Sequence, residues 1–143
     1  MTIYKSIMVP VDLEHESSWE KAFPVALKMA ETFAASLHVV TVEQDIRNPT
    51  VMQYFPKDYE AKLVENASKR LAELVAREMP GVEVTRHVAV GQIFREIVRA
   101  AKENDCDLIV MASHRPELVD LLIGPNAEGV TRHTTASVMI VRS

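Results

Sequence analysis

The chain has 143 residues, 48% hydrophobic and 25% charged, the balance of a single soluble domain, residues 1–143, with a sizeable core. Its 16 Lys and Arg against 20 Asp and Glu leave a net charge of −4, which argues against a nucleic-acid partner. No apolar run approaches the roughly 18 residues of a membrane span, Cys106 alone permits no internal disulfide, and MTIYKSIMVPVD lacks the layout of a signal peptide; a cytoplasmic protein without membrane insertion is expected.

Taken in chain order, residues 4–11 (YKSIMVPV) are apolar and β-branched and read as a first strand, with Pro10 tolerable near its end. Ser17 or Ser18 can cap a helix that carries Trp19, Ala22, Phe23, Ala26, Leu27, Ala30 and Phe33 at helical spacing. Pro24 interrupts it and predicts a kink near residues 20–23. Residues 37–42 (LHVVTV) form the second strand. Residues 43–57, with two prolines and no period, form a long connection.

A helical stripe of Leu63, Ala67, Leu71, Leu74 and Val75 follows over residues 58–79 and ends at Pro80-Gly81. Its charged residues (Glu60, Lys62, Glu65, Lys69, Arg70, Glu73, Arg77 and Glu78) read as a solvated face. Residues 82–90 are a third strand, 93–104 a third helix, 107–111 (DLIVM) a fourth strand, 126–133 a short helix and 138–141 (VMIV) a fifth strand. Alternation of strands with helical crossovers implies a parallel sheet covered on both faces, a doubly wound α/β domain.

In such sheets ligands bind beyond the carboxyl ends of the strands, where strand order reverses. For the order 3-2-1-4-5 that point lies between the ends of strands 1 and 4. Pro10, Val11 and Asp12 would then face Met111, Ala112, Ser113 and His114. Gly124, Pro125, Asn126 and Ala127 follow at a helix start, where free N–H groups attract anions. The histidines at 15, 38, 87, 114 and 133 show no metal-ligand spacing. His38, in an apolar strand, reads as a packed core residue, and His133 closes the last helix. Cys106, between acidic neighbours, is a poor setting for a thiolate. There is no nucleophile elbow, Walker A loop or acidic dyad.

The segments KSIMVPVD, LHVVTV, VAVGQIFREIVRAAKENDCDLIVMASH and LLIGPNAEGVTRH with VMIVR resemble the universal stress protein family across nearly the whole chain. The nucleotide-binding branch of that family carries Gly-x2-Gly-x9-Gly-Ser/Thr after strand 4. By this resemblance Asp12 contacts the adenosine end, Thr41 and Val42 with Met111 border the adenine slot, and Gly124 matches the third glycine. Ala112 stands for the first glycine and Pro125 for the Ser/Thr. The second glycine has no counterpart, the loop being one residue short with Arg115-Pro116 in its place. Pro116, Gly124, Asn126 and Ala127 agree with a short-loop subset of the family.

Pro125 removes one backbone donor and one hydroxyl, each worth roughly 1.5–3 kcal/mol toward a charged group. Uncompensated, that weakens triphosphate binding by about a hundredfold to ten-thousandfold. Arg115 is the residue suited to compensate, since guanidinium matches phosphate oxygens. The resemblance thus implies a non-enzymatic stress-response protein that binds an adenine nucleotide, ATP ahead of AMP or ADP, with Mg²⁺ between Asp12 and the phosphates and at most slow, incidental hydrolysis. It also implies a homodimer paired through residues 137–142. The alternative is a dimeric interaction module that has lost nucleotide binding.

Overall fold

The computed structural model describes residues 3–44, 58–113 and 124–142. Within them, five strands are β1 (Ser6–Val11), β2 (Ser36–Gln44), β3 (Thr85–Gly91), β4 (Leu108–Ser113) and β5 (Ser137–Arg142). The helices are α1 (Ala22–Phe33), α2 (Tyr59–Glu78), α3 (Ile93–Glu103) and α4 (Pro125–His133). The strands form one sheet, all pairs parallel, in the order β3-β2-β1-β4-β5. This is the expected doubly wound order.

The central strand explains the rest. Every residue of β1 is buried, because it is covered on both faces. Ile7, Val9 and Val11 pack with α1 and α2 residues such as Phe23, Ala26, Leu71 and Leu74. Met8, between them, packs with Ile97, Ala101 and Val130 of α3 and α4. A side-chain period of two thus distributes one strand between two helical layers. In the second layer a Cβ on Gly129 of α4 would lie 2.5 Å from the Phe94 ring of α3, so this glycine lets the two helices meet.

Three boundaries moved. The first helix is split: Glu16–Ser18 form a short 3₁₀ turn and α1 begins only at Ala22. Pro24 therefore stands in the first turn of α1, where its missing N–H has no intrahelical partner to lose. The expected kinked helix is thus replaced by a turn and a helix that starts later. Strand β3 starts at Thr85, three residues later than the hydrophobic run, because Gly81 at φ 74° first turns the chain. Asp107 stays outside β4 and spends its carboxylate on the start of β1. Its oxygens accept the Lys5 N–H at 3.0 and 3.1 Å and the Ser6 N–H at 3.1 Å.

Candidate functional site

Strands β1 and β4 pair at only two positions, Ile7 with Leu108 and Met8 with Ile109. By contrast, β1 and β2 stay paired from Ser6 to Val11, and β4 and β5 from Leu108 to Ser113. Pro10, with no N–H to donate, lies just past the last β1–β4 pair. The two strands part there and a cleft of about 810 Å³ opens at their carboxyl ends.

The loop after β1 is tied down by its own polar groups. Asp12 Oδ1 accepts the Glu14 N–H at 2.9 Å, a turn for which aspartate is suited. The Asp12 N–H donates to Ser18 Oγ at 2.9 Å, and the Ser18 hydroxyl donates to the His15 carbonyl at 2.8 Å. His15 Nδ1 lies 2.8 Å from Asp12 Oδ2, with both side chains about half exposed. Arg70 of α2 fastens this loop from outside. Its Nη1 donates to Glu14 Oε1 at 2.7 Å and its Nη2 to the Leu13 carbonyl at 3.3 Å.

On the far side, Gly124 precedes α4 with φ 86° and ψ 154°, a backbone shape costly for any residue with a Cβ. Pro125 occupies the first helical position, and the Glu128 N–H bonds back to the Gly124 carbonyl at 3.0 Å. Asn126 and Ala127 sit in the first turn, where backbone N–H groups have no intrahelical acceptor. Between the two rims Val40, Val42, Ile93, Ile97 and Met111 supply an apolar wall.

Of the residues expected at the site, Pro10, Val11, Asp12, Val42, Met111, Ala112, Ser113, Gly124, Pro125, Asn126 and Ala127 all line this one cleft. Thr41 does not: it is 2% exposed, and alternation along β2 sends its side chain away from the face of Val40 and Val42. His114 and Arg115 lie outside the described residues. Residues not anticipated include Glu14 and His15 of the loop after β1, Val40 of β2, Tyr59 and Leu63 of α2 and Ile93 of α3, which line the cleft, and Arg70, which braces it. Arg70 was hidden in a helix face that is otherwise exposed. Only its distance from Glu14, 56 positions back in the chain, marks it out.

The other titratable groups lie elsewhere. His38 is half-buried and stacked on His87 at 5.2 Å between ring centroids, with Nδ1 and Nε2 3.0 Å apart. Burial holds both imidazoles below the ordinary histidine range; for His38 the neighbouring His87 adds to this, and for His87 Glu103 opposes it. Cys106 is buried beside Ser6 Oγ at 3.4 Å, and burial pushes its thiol up, so it makes a poor nucleophile. His133 closes α4 by bonding the Gly129 carbonyl at 2.8 Å. Among the described residues, no three His, Cys, Asp or Glu side chains gather as a metal site.

The model of the universal stress protein family matches residues 3–142. The chain belongs to that family. Universal stress protein G of Salmonella typhimurium is 27% identical over 143 aligned positions, which cover 98% of this chain and 100% of that protein. The solved structure of MJ0577, a universal stress protein of Methanocaldococcus jannaschii, superposes with a TM-score of 0.72 at 25% identity and covers 99% of this chain and 98% of its own. The universal stress protein of Archaeoglobus fulgidus, solved in complex with dAMP, shares the fold at a TM-score of 0.61 and 20% identity, over 97% of this chain and 98% of its own.

Proposed function

We propose that this universal stress protein binds an adenine nucleotide in the cleft between the ends of β1 and β4, as a sensor or accessory factor in the cytoplasm rather than as an enzyme. The observation that carries the reading is convergence. Eleven residues expected at a nucleotide site from the sequence line one crevice, at the switch point where doubly wound sheets hold their ligands. The dAMP held by a relative of the same fold supports the adenine class.

The chemistry of the walls fits the parts of such a ligand. The apolar face of Val40, Val42, Ile93 and Met111 suits a planar base. Asp12, fixed by Glu14 and His15, offers a carboxylate edge to a ribose or base donor. The N–H groups of Asn126 and Ala127 face the region a phosphate would take. A directly bound Mg²⁺ is less well served. Both oxygens of Asp12 are already engaged, and Glu14 is paired with Arg70. The cation belongs to this reading only as a counter-ion travelling with phosphates.

Mass spectrometry of small molecules released from the purified protein, followed by equilibrium dialysis with adenosine, AMP and ATP, tests the proposal. A co-purified or bound adenine ligand is the expected result. A protein that holds none of the three at millimolar concentration would be an interaction module without nucleotide.

A further inference from the structure

Resting on that adenine reading, we infer that Arg70 of α2, which does not itself line the cleft, is a positioning residue that sets how Asp12 meets a ligand. The link runs through one peptide group. Arg70 Nη2 donates to the Leu13 carbonyl at 3.3 Å. That carbonyl shares a trans peptide with the Glu14 N–H, which donates to Asp12 Oδ1 at 2.9 Å. The two groups point in opposite directions across one rigid plane. A guanidinium that fixes the oxygen therefore aims the N–H, and the N–H aims the carboxylate. Its positive charge also polarises the amide, which strengthens the bond to Asp12.

The grip is a fork. Arg70 Nη1 donates to Glu14 Oε1 at 2.7 Å, so one planar head holds both the peptide and the side chain that follows it. Two attachment points on neighbouring residues stop the peptide from rotating, a task for which a lysine head is less suited. The backbone behind the fork is itself held, because the adjacent Leu71 and the nearby Leu74 are buried in the core. From the opposite side Ser18, only 6% exposed, accepts the Asp12 N–H and donates to the His15 carbonyl. Ser18 thus secures the base of the loop and Arg70 its tip.

The same helix reaches the ligand side. Tyr59 and Leu63, in the first turns of α2, line the cleft. Helix α2 thus contributes a piece of wall and, through Arg70, a hold on the carboxylate that faces into the same space. Global stability gains little from the contact, since the Arg70 and Glu14 side chains are 39% and 69% exposed and exposed ion pairs are weak. Its effect is local placement.

The test combines calorimetric titration with adenosine and AMP, thermal unfolding, and amide hydrogen exchange, all on the full chain. Arg70→Met keeps an apolar stem and removes the fork. It should weaken adenosine and AMP by the same factor, about three- to tenfold, the worth of one ordinary hydrogen bond. Its thermal midpoint should stay near the wild-type value, and exchange of the Glu14 amide should quicken. Arg70→Lys, which keeps the charge and one point of contact, should recover part of the affinity. Wild-type affinity in Arg70→Met overturns the inference and leaves adenine binding standing. So does a loss of affinity with Glu14 exchange unchanged, or one that comes with a fallen thermal midpoint, which would make Arg70 a prop of the fold. Binding of neither ligand by the wild type overturns the adenine reading instead, and Glu14 exchange then still decides whether Arg70 holds the loop.

Discussion

Asp12 Oδ2 lies 2.8 Å from His15 Nδ1, and Asp12 Oδ1 lies 2.9 Å from the Glu14 N–H. The carboxylate at the mouth of the cleft is therefore oriented by its own loop, which Arg70 anchors to α2. A ligand that bonds this carboxylate meets a group already placed, so little ordering entropy is spent on it. Asp12→Ala should weaken adenosine, AMP and ATP alike, by about 1.5–3 kcal/mol, the worth of a hydrogen bond to a charged group. Titration calorimetry on the three ligands checks this. Equal affinity in variant and wild type would remove Asp12 from the site.

Pro125 is the second lever, and it acts only on phosphate. Pro125→Ser restores an N–H at the first helical position and adds a hydroxyl beside it, both near the donors of Asn126 and Ala127. ATP affinity should rise relative to AMP by roughly ten- to a hundredfold if one charge-assisted bond is regained, with adenosine unchanged. An unaltered ratio of ATP to AMP affinity would mean that phosphates do not reach α4.

The paired histidines give the fold a pH dependence away from the cleft. Burial holds the imidazoles of His38 and His87 below the unfolded value, which is near 6.5. Such groups favour the folded state fully above about pH 6.5, and that stabilisation is lost as pH falls below it, because the unfolded chain then takes up protons more readily. Urea midpoints measured between roughly pH 7.5 and pH 5.5 should therefore drop more steeply in the wild type than in His38→Gln. Parallel curves would show that the pair does not couple protonation to folding.

Gly129 and Phe94 should behave as one packing unit. Gly129→Ala gains helix propensity, worth about 1 kcal/mol, but sets a Cβ 2.5 Å from the Phe94 ring. Overpacking of that kind costs roughly 1–3 kcal/mol. The clash should win, and Gly129→Ala should lower the thermal midpoint. Combined with Phe94→Leu, which vacates the ring, the same substitution should cost less. A stabilised single variant would contradict the close α3–α4 contact.

Strand β5 pairs with β4 along one edge, and its Val138, Met139, Ile140 and Val141 are only half-buried. An apolar sheet edge of this kind invites pairing with a second strand. A two-fold antiparallel arrangement of two copies would close it without open growth. We predict a species of twice the 16.0 kDa chain mass in sedimentation at micromolar concentration. A 16.0 kDa species, or a dimer whose protected amides exclude residues 137–142, would contradict it.

Much of the architecture was legible because its causes are local and periodic. The uninterrupted apolar runs of β1 and β4 announce strands covered on both faces, and the stripe of Ala67, Leu71 and Leu74 announces α2. The rim residues of the cleft were legible through the switch-point rule together with the family resemblance. What was not legible depends on approach between distant elements. Nothing near Arg70 in the chain distinguishes it from Lys69 or Arg77, yet it alone of the three reaches Leu13 and Glu14. Likewise Thr41 sits beside Val42 in the chain but on the other face of the sheet, and a one-residue step on a strand reverses the side a residue serves. The stacking of His38 on His87 rests on the β2–β3 register, which the pattern of either strand alone does not fix.

The central claim is that adenine ligands occupy the crevice between the ends of β1 and β4. The most direct measurement is a methyl and backbone NMR titration of the full chain with AMP. The account predicts saturable shifts at Val42, Ile93, Met111 and Ala127 and at the amides of Asp12 and Asn126, with His38, His87 and Cys106 unmoved. No shifts at millimolar AMP, or shifts confined to the His87 side of the molecule, would contradict it.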